Sequence, residues 1–225
     1  PMGDCCHGSG YQATFGAEFA RRVSRRYLRR GLDRTQRRLV GFLAESGIEG
    51  ATVLEIGGGI GEIQVELLRL GAARATNLEI STGYEDEAGR LLERFGLRER
   101  VERRLADIAR QPDVVGQADV VVLHRVVCCY PDYERLLGAA AAKADRMLVF
   151  SHPPDNVLTR AALWVDNTVR QLRRRGRNYR SYVHPPREMR AVATRAGLRA
   201  TYRWRGLGWA VVGFEREPAR LLTDR

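Results

Sequence analysis

The segment VLEIGGGIGEIQ contains the residues whose spacing first suggests chemistry. Glu55 precedes three glycines at intervals of two residues, Gly57, Gly59 and Gly61. The apolar residues at its start predict a buried strand, and the residues after the glycines predict the start of a helix. Glycine adopts positive φ and has no side chain, so a ligand can approach the backbone of such a turn closely. The segment therefore predicts a turn that holds a nucleotide-like ligand.

The glycine spacing excludes two common nucleotide-binding loops. A dinucleotide fingerprint needs a third glycine where the helix packs against the strand, and Glu62 and Ile63 stand there instead. The loop also lacks the Lys-Ser or Lys-Thr pair that a phosphate-binding P-loop needs. We therefore expect a ligand that is neither a dinucleotide nor a nucleoside triphosphate.

Two further carboxylates follow predicted strands, at the edge where such sheets bind ligands. Glu79 lies in NLEIS and Asp107 lies in RLADI. Together with the E-x-G-x-G-x-G pattern at 55–61, they resemble the class I S-adenosylmethionine-dependent methyltransferases over about residues 50–150. The resemblance implies an enzyme of EC class 2.1.1 with S-adenosyl-L-methionine as its cofactor.

The resemblance also implies a role for each matched residue. Glu79 would accept hydrogen bonds from the two ribose hydroxyls, and Asp107 would accept one from the adenine amino group. Ile108 would pack on the adenine ring, and the glycine turn would lie against the methionine part of the cofactor. The cofactor-binding residues predicted in this way are Glu55, Gly57, Gly59, Gly61, Glu79, Asp107, Ile108 and His124.

The segment HRVVCCYPD follows the predicted fourth strand and is expected to face the methyl acceptor. We predict His124 and Tyr130 as catalytic residues. Histidine has an ordinary pKa of about 6.5, so His124 could act as a general base. A carboxylate acceptor would need no base, because it is ionised at neutral pH and the sulfonium donor is already activated. The alternative is that His124 only shapes the pocket.

A weaker similarity narrows the range of possible methyl acceptors. Cys128-Cys129-Tyr130-Pro131 is similar to the short loop of magnesium-protoporphyrin IX methyltransferases, which ends in a Tyr-Pro pair. Their basic N-terminal helices are also similar in kind to the start of this chain. The similarity implies O-methylation of a small molecule that is acidic or porphyrin-like. The loop lacks the Asp/Asn-Pro-Pro-Tyr/Phe and Pro-Cys signatures of enzymes that methylate bases, so a nucleic-acid acceptor is not favoured.

A carboxylate acceptor is expected to pair with arginine, because a guanidinium can bind both of its oxygens. The candidates lie in the basic N-terminal helices and in the loop after the fourth strand. The predicted acceptor-binding residues are Arg22, Arg26, Arg125, Cys128 and Cys129, with Arg30 as a further candidate.

The four cysteines form two adjacent pairs, Cys5-Cys6 and Cys128-Cys129. Vicinal cysteines rarely bridge each other, and neither pair has the CxxC spacing of a zinc site. We therefore predict reduced thiols and no metal site. One alternative stays open: the two pairs could meet with nearby histidines if the N-terminal arm folds over the pocket. Such soft ligands would indicate a thiol or metalloid methyltransferase, or a metal-linked cofactor-binding protein.

The chain is strongly basic, with a formal charge of +11 and a pI of about 10.2. This charge predicts attraction to anions and leaves an RNA-modifying methyltransferase as an alternative. No apolar run of about 18 residues predicts a transmembrane segment. The first ten residues, PMGDCCHGSG, contain no apolar signal core, which favours a cytoplasmic location. The sequence leaves the oligomeric state open.

The elements that must position these residues alternate between strand and helix after Gly50. Continuous apolar runs such as ADVVVL are expected where helices cover both faces of a sheet. We predict an α/β fold with a doubly wound, mostly parallel, seven-stranded Rossmann-like sheet and an antiparallel C-terminal hairpin at its edge. Strands are predicted near 52–56, 75–80, 100–105, 119–123 and 145–150, and helices near 61–71, 84–96, 132–143 and 158–174.

Two units are expected along the chain. Residues 1–48 are predicted to form an arm and basic amphipathic helices that act as a lid. Residues 49–225 are predicted to form the methyltransferase domain, with an acceptor-covering insertion at about 151–190. Gly31 is expected to separate the two N-terminal helices, with Asp33 capping the second. Their apolar stripe recurs every four residues, at Phe15, Phe19, Val23 and Tyr27.

Overall fold

A seven-stranded sheet lies at the centre of the computed structural model, which describes residues 9–172 and 179–217. Its order is β3-β2-β1-β4-β5-β7-β6, with β1 to β5 parallel and β7 antiparallel to both of its neighbours. The predicted α/β fold with a Rossmann-like sheet is confirmed. The strands are β1 (Thr52–Ile56), β2 (Arg74–Glu79), β3 (Val101–Leu105), β4 (Ala118–Leu123), β5 (Ala144–His152), β6 (Leu198–Arg205) and β7 (Ala210–Arg216).

Helices cover both faces of this sheet, which explains why its central strands are apolar throughout. In β4, Val120 and Val122 face one core, while Val121 and Leu123 face the other. The N-terminal helices, α4 (Glu62–Arg69) and α5 (Glu85–Phe95) contribute to the first core. The second core includes residues of α6 (Tyr133–Lys143) and α8 (Pro186–Arg195). The remaining helix, α7 (Val157–Leu172), has no buried residue.

Three helices precede the sheet: α1 (Ser9–Thr14), α2 (Ala17–Arg30) and α3 (Arg34–Glu45). Gly31 ends α2 with a positive φ of 66°. Asp33 begins α3 through a capping box, in which its side chain accepts from the Gln36 amide and the Gln36 side chain accepts from the Asp33 amide. The predicted division between the two helices is therefore observed. The proposed lid boundary at residue 48 stays a prediction.

The C-terminal hairpin joins the sheet through β7 rather than β6. The five residues from Ala210 to Phe214 are buried, whereas after Leu198 the residues of β6 alternate between exposed and half-buried. The more apolar strand therefore pairs with β5, and β6 forms the edge. We predicted an antiparallel strand at the edge of the sheet. The strand that runs antiparallel to β1–β5 is β7, which lies one position in from the edge.

The segment between β5 and β6 differs in part from the sequence prediction. Its first helix, α7, ends at Leu172, and the predicted positions 173–174 lie outside the described residues. The second helix, α8, was not predicted, because it is short and begins directly after Pro185. Within 9–172 and 179–217, no helix has the length and apolar composition needed to cross a bilayer.

Candidate active site

A cavity of about 210 Å³ opens at the carboxyl ends of the parallel strands, beneath the N-terminal helices. Most of the residues singled out in the sequence line it. Those that line it are Arg26, Glu55, Gly57, Gly59, Glu79, Asp107, Ile108, His124, Arg125, Cys129 and Tyr130. Gly61, Arg22, Arg30 and Cys128 are not part of its lining.

The glycine turn has the backbone that its sequence predicts. Gly57, Gly59 and Gly61 have positive φ values of 63°, 55° and 84°. A Cβ on Gly57 would lie 2.5 Å from a methyl group of Val126, so the turn packs directly against the loop after β4. Gly61 does not line the cavity because it is the N-cap of α4, where a Cβ would lie 2.1 Å from the Gln64 side chain.

Glu79 connects the end of β2 to the glycine turn. One carboxylate oxygen accepts from the amides of Ile80 and Ser81, at 2.8 and 3.0 Å, and the other accepts from the amide of Gly59 at 3.0 Å. Burial raises the pKa of this carboxyl, although the three amides act against that rise. The side chain therefore fixes the position of the turn while it lines the cavity.

Asp107 and Tyr130 form one unit at another part of the wall. The Tyr130 hydroxyl donates to Asp107 Oδ2 at 2.9 Å, and Asp107 Oδ1 accepts from the amide of Ala109 at 3.0 Å. Burial, together with the charge of Asp107, raises the pKa of Tyr130. The predicted catalytic tyrosine thus lies beside the residue predicted to bind adenine.

A second buried carboxyl accompanies Glu55, and sequence reasoning did not identify it as part of the site. Glu55 is 2% exposed, and its Oε2 has no hydrogen-bond partner among the described residues. Burial and the nearby Glu62 raise the pKa of Glu55 well above its usual range. Glu62 accepts a hydrogen bond of 2.8 Å from the Gln36 side chain. The signal in the sequence was Glu62 in the first turn of the helix that the glycines begin.

His124 is held by Ser151 at the end of β5. Ser151 Oγ accepts from the backbone amide of Arg125 at 2.9 Å and lies 3.0 Å from His124 Nδ1. Ser151 is fully buried, and His124 Nδ1 is the acceptor available for its hydroxyl hydrogen within the described chain. From these hydrogen bonds we assign the neutral tautomer that carries its proton on Nε2.

The charge state of His124 follows from the same surroundings. Burial, together with the charge of Arg125, lowers the pKa of His124 to about 3. The ring is therefore neutral at physiological pH. Its Nε2 is buried and has no partner within the described parts of the chain, while the side chain lines the cavity. The arrangement presents an N–H donor to a ligand rather than a basic nitrogen.

Two of the predicted acceptor arginines meet at Asp33, the cap of α3. Arg125 donates to Asp33 Oδ2 at 2.8 Å and lies over the Trp209 ring, 4.9 Å from its centroid. Arg125 is also the one described non-glycine residue with positive φ, at 59°. Arg26 donates to Gln36 Oε1 at 3.2 Å and lies 3.9 Å from Asp33. The cap of α3 thus holds both guanidinium groups at the cavity.

The third predicted arginine has a different position. Arg22 is exposed and lies over the ring of Phe19, 5.1 Å from its centroid. It does not line the cavity. α2 turns its apolar stripe, rather than this arginine, toward the site.

The pair Cys128-Cys129 is buried next to the cavity. The two sulfurs are 3.5 Å apart, and Cys129 Sγ lies 2.8 Å from the Tyr179 hydroxyl. Hydrogen bonds from Cys128 and Tyr179 lower the pKa of Cys129. The other cysteine pair and His7 lie outside the described residues. Within the described ranges, no group of three or more His, Cys, Asp or Glu side chains is placed to hold a metal ion.

The N-terminal helices contribute an aromatic wall that the sequence only partly indicated. Tyr11, Phe15 and Phe19 line the cavity, and the Tyr11 hydroxyl donates to the Cys129 carbonyl at 2.9 Å. The four-residue spacing predicted a buried helix face, but not that this face would cover a ligand site. Helices α1 and α2 rest on the loop after Glu79: Ser81 Oγ donates to the Phe15 carbonyl at 2.9 Å.

Comparison with known proteins agrees with this geometry. Residues 24–202 match a family described as a methyltransferase domain. No curated protein matches the sequence. Similar solved structures include the magnesium protoporphyrin IX methyltransferase ChlM from Synechocystis PCC 6803, which was crystallised with bound SAH. It is 20% identical, with a TM-score of 0.69 over 92% of this chain and 97% of that chain.

Two further solved structures align with most of this chain, but each alignment covers less than two thirds of the other protein's chain. An O-methyltransferase family protein from Burkholderia thailandensis is 18% identical, with a TM-score of 0.70 over 93% of this chain and 63% of that chain. The mitomycin 7-O-methyltransferase MmcR is 25% identical, with a TM-score of 0.64 over 93% of this chain and 61% of that chain. The predicted resemblance to methyltransferases is confirmed, and the chain belongs to the methyltransferase domain family.

Proposed function

We propose that this methyltransferase transfers the methyl group of S-adenosyl-L-methionine to an oxygen of a small, acidic, largely apolar molecule. The observation that carries the cofactor assignment is the excess of carboxyl groups in the cavity. The chain has a net charge of +11, yet the cavity is lined by four carboxyl groups and two guanidinium groups. Carboxyl oxygens accept hydrogen bonds and attract cations, so such a lining suits a cationic nucleoside with hydroxyl groups and supports the sulfonium cofactor over a dinucleotide or RNA.

The carboxyl groups fit the parts of this cofactor. Glu79 Oε2 accepts from one amide, that of Gly59, and so has a lone pair left for a ribose hydroxyl. Asp107 and Ile108 lie together on the wall where an adenine ring would rest. The Glu55 oxygen without a partner is buried, so an ammonium group of the methionine part would satisfy it. These assignments rest on the donors and acceptors present along the cavity.

The rest of the cavity supports an apolar acceptor with an acidic group. Tyr11, Phe15 and Phe19 offer aromatic surface, on which a flat molecule can pack. Arg26 and Arg125 are the cations in the described lining, and a carboxylate entering there would pair with Arg125. The O-methyltransferases with similar structures support oxygen as the acceptor atom.

The side chains of this site act by binding and orientation. S-adenosyl-L-methionine supplies an activated methyl group, so the protein mainly has to align the acceptor oxygen with it. We assign an orienting role to His124, whose Nε2–H donates to a ligand oxygen and holds it in place. A carboxylate acceptor is already ionised and needs no general base.

Calorimetry with S-adenosylhomocysteine, the unreactive product, tests the cofactor assignment. We expect one site per chain, with binding that varies little with salt because a buried cavity is weakly screened. Mass spectrometry of reactions with porphyrin and aromatic carboxylic acids then tests the acceptor, and a mass gain of one methyl group on the acid is expected. Absence of binding contradicts the proposal. Tight RNA binding that weakens steeply with salt would support the RNA-modifying alternative instead.

A further inference from the structure

Helix α7 turns its polar side toward the protein and its apolar side toward solvent. Asn167 exchanges two hydrogen bonds with the backbone of Ser181, at 2.9 and 3.0 Å. On the same side of the helix, Arg170 pairs with Asp166 at 2.8 Å and lies over the Tyr179 ring at 5.3 Å. These contacts fix the orientation of the helix and so hold its other side toward solvent.

The outward side is a continuous apolar stripe, which we call the α7 stripe. Val157 and Trp164 are seven residues apart, as are Leu158, Val165 and Leu172 in turn, and seven residues is close to two helical turns, so all five lie on one helix face. With 16 residues, α7 is about 24 Å long. The exposed members are Val157 (80%), Leu158 (83%), Trp164 (69%), Val165 (51%) and Leu172 (77%).

The net charge of the chain indicates what covers the α7 stripe. The two arginines of α7 are each paired with a carboxylate, Arg160 with Asp155 and Arg170 with Asp166. The chain as a whole has a net charge of +11, and five arginines of α2 are exposed: Arg21, Arg22, Arg25, Arg29 and Arg30. A second copy would bring an equal positive charge, and RNA would gain little from an apolar stripe. Apolar side chains in a cationic protein match an anionic lipid surface, which offers both an apolar interior and negative headgroups.

We propose that α7 docks this protein on the surface of an anionic lipid bilayer, with the α7 stripe inserted at the boundary between headgroups and acyl chains. The helix lies along the surface and does not span the bilayer, because its opposite face is polar and bound to the protein. Trp164 has the amphipathic ring that is enriched at this depth.

Because α7 lies close to the cavity, docking through this helix would bring the cavity near the bilayer. The Arg170 guanidinium lies over the Tyr179 ring. The centroid of that ring lies 5.6 Å from the ring centroid of Tyr11 and 5.1 Å from that of Phe15. One side chain therefore separates the docked helix from the aromatic wall of the cavity. An apolar acceptor that partitions into the bilayer would be concentrated beside that wall.

Flotation with lipid vesicles tests the docking without any methyl transfer, so its outcome is independent of the proposed function. We expect the full chain to bind vesicles of equal parts phosphatidylglycerol and phosphatidylcholine at least tenfold more tightly than vesicles of phosphatidylcholine alone. The double variant Leu158→Ser, Trp164→Ser should bind at least tenfold more weakly. Leu207→Ser removes a fully exposed leucine from the β6–β7 turn and should change binding less than twofold.

Each alternative result overturns the proposal. The proposal fails if the wild-type protein stays unbound or binds both vesicle types equally. It also fails if the double variant binds vesicles as tightly as the wild type does. Sedimentation of the same proteins shows whether the stripe covers a second copy: a dimer that the α7 changes convert to monomers would assign it to self-association. Thermal unfolding controls for folding, and Trp164→Ser alone replaces the double variant if that variant unfolds early.

Discussion

The cavity has two parts that are built in different ways. The first is the cofactor part, made by the glycine turn, Glu79 and Asp107 at the ends of neighbouring strands. The second is the acceptor part, where the cap of α3, the loop after β4 and the aromatic face of α1 and α2 meet. In the first part, carboxylates accept from backbone amides that lie one or two residues away or in the turn after the adjacent strand. In the second, Asp33 binds Arg125, which is 92 positions further along the chain.

Because of this difference, the two parts of the cavity depend on different elements of the fold. The cofactor part is built mainly by the sheet and its turns and meets the N-terminal segment at Ser81, so it should tolerate most changes in the N-terminal helices. The acceptor part needs those helices in place. Substitutions in the first part should therefore change cofactor affinity, whereas substitutions in the second should change acceptor use and leave cofactor affinity nearly constant.

The largest effect is expected for Glu79→Ala. The change removes the proposed ribose acceptor and leaves the amides of Gly59, Ile80 and Ser81 without their carboxylate. We expect affinity for S-adenosylhomocysteine to fall about 100-fold, with a lower melting temperature. Calorimetry and thermal unfolding measure both. Glu99→Ala, in the short turn before β3, serves as a control and should keep full affinity. A Glu79 variant with unchanged affinity would contradict the ribose assignment.

A smaller loss is expected for Gly57→Ala. A Cβ there lies 2.5 Å from Val126, and alanine disfavours a φ of 63°. We expect cofactor affinity to fall about tenfold, since the strained turn moves away from its ligand. Gly138→Ala on α6 is the matched control, because nothing lies within 4 Å of its added Cβ. Equal affinities of the two variants would show that the turn is not part of the cofactor site.

Ser151→Ala should affect the acceptor part without the cofactor part. His124 loses the hydroxyl that sets its tautomer, so its Nε2 no longer carries the proton in every molecule. We expect kcat/KM for the acceptor to fall about tenfold, with cofactor affinity changed less than twofold. Nitrogen NMR of the imidazoles checks the assignment directly in the wild type. A His124 proton found on Nδ1 would overturn the donor role.

The pH dependence of His124 gives a related test. Burial lowers its pKa to about 3, so the folded ring stays neutral where a histidine of the unfolded chain takes up a proton. The unfolded state then binds more protons, and the free energy of unfolding falls as pH drops below about 6.5, by up to about 1.4 kcal/mol per pH unit. The rate of methyl transfer should show no step near pH 6.5 from this residue. A step that disappears in His124→Gln would show that His124 acts as a base.

The smallest effect is expected for Asp33→Ala. The change removes an N-cap, worth about 1 kcal/mol, and releases Arg125 and Arg26 from their shared carboxylate. We expect KM for the acceptor to change severalfold while cofactor affinity is maintained. Asp132→Ala removes the cap of α6 and is the control for helix stability alone. Identical kinetics in the two variants would remove Asp33 from the acceptor part.

Sequence reasoning predicted the sheet and the cofactor part better than the acceptor part. Strand β4 is apolar because both of its faces are covered, and the glycine turn and Glu79 are local features with a fixed position relative to their strands. The acceptor part depends on which distant segments meet. Nothing in the sequence near Arg22 and Arg26 indicates that one lies outside the cavity and the other at Asp33.

The same distinction explains the other differences. Helix α8 begins at the second of two consecutive prolines and is only 10 residues long, so its periodicity is weak. The role of Ser151 could not be predicted, because a single serine at the end of β5 has no pattern that links it to His124. The Cys128-Cys129 pair was recognised, but its contact with Tyr179 joins residues 50 positions apart.

The contact between Ser81 and Phe15 has a kinetic consequence. The loop that begins at Glu79 is the surface on which α1 and α2 rest, so a ligand that orders this loop also stabilises the cover of the acceptor part. The two substrates should then add in a fixed sequence, with the nucleoside first and the acid second. After transfer, the methylated acid should leave before the spent nucleoside.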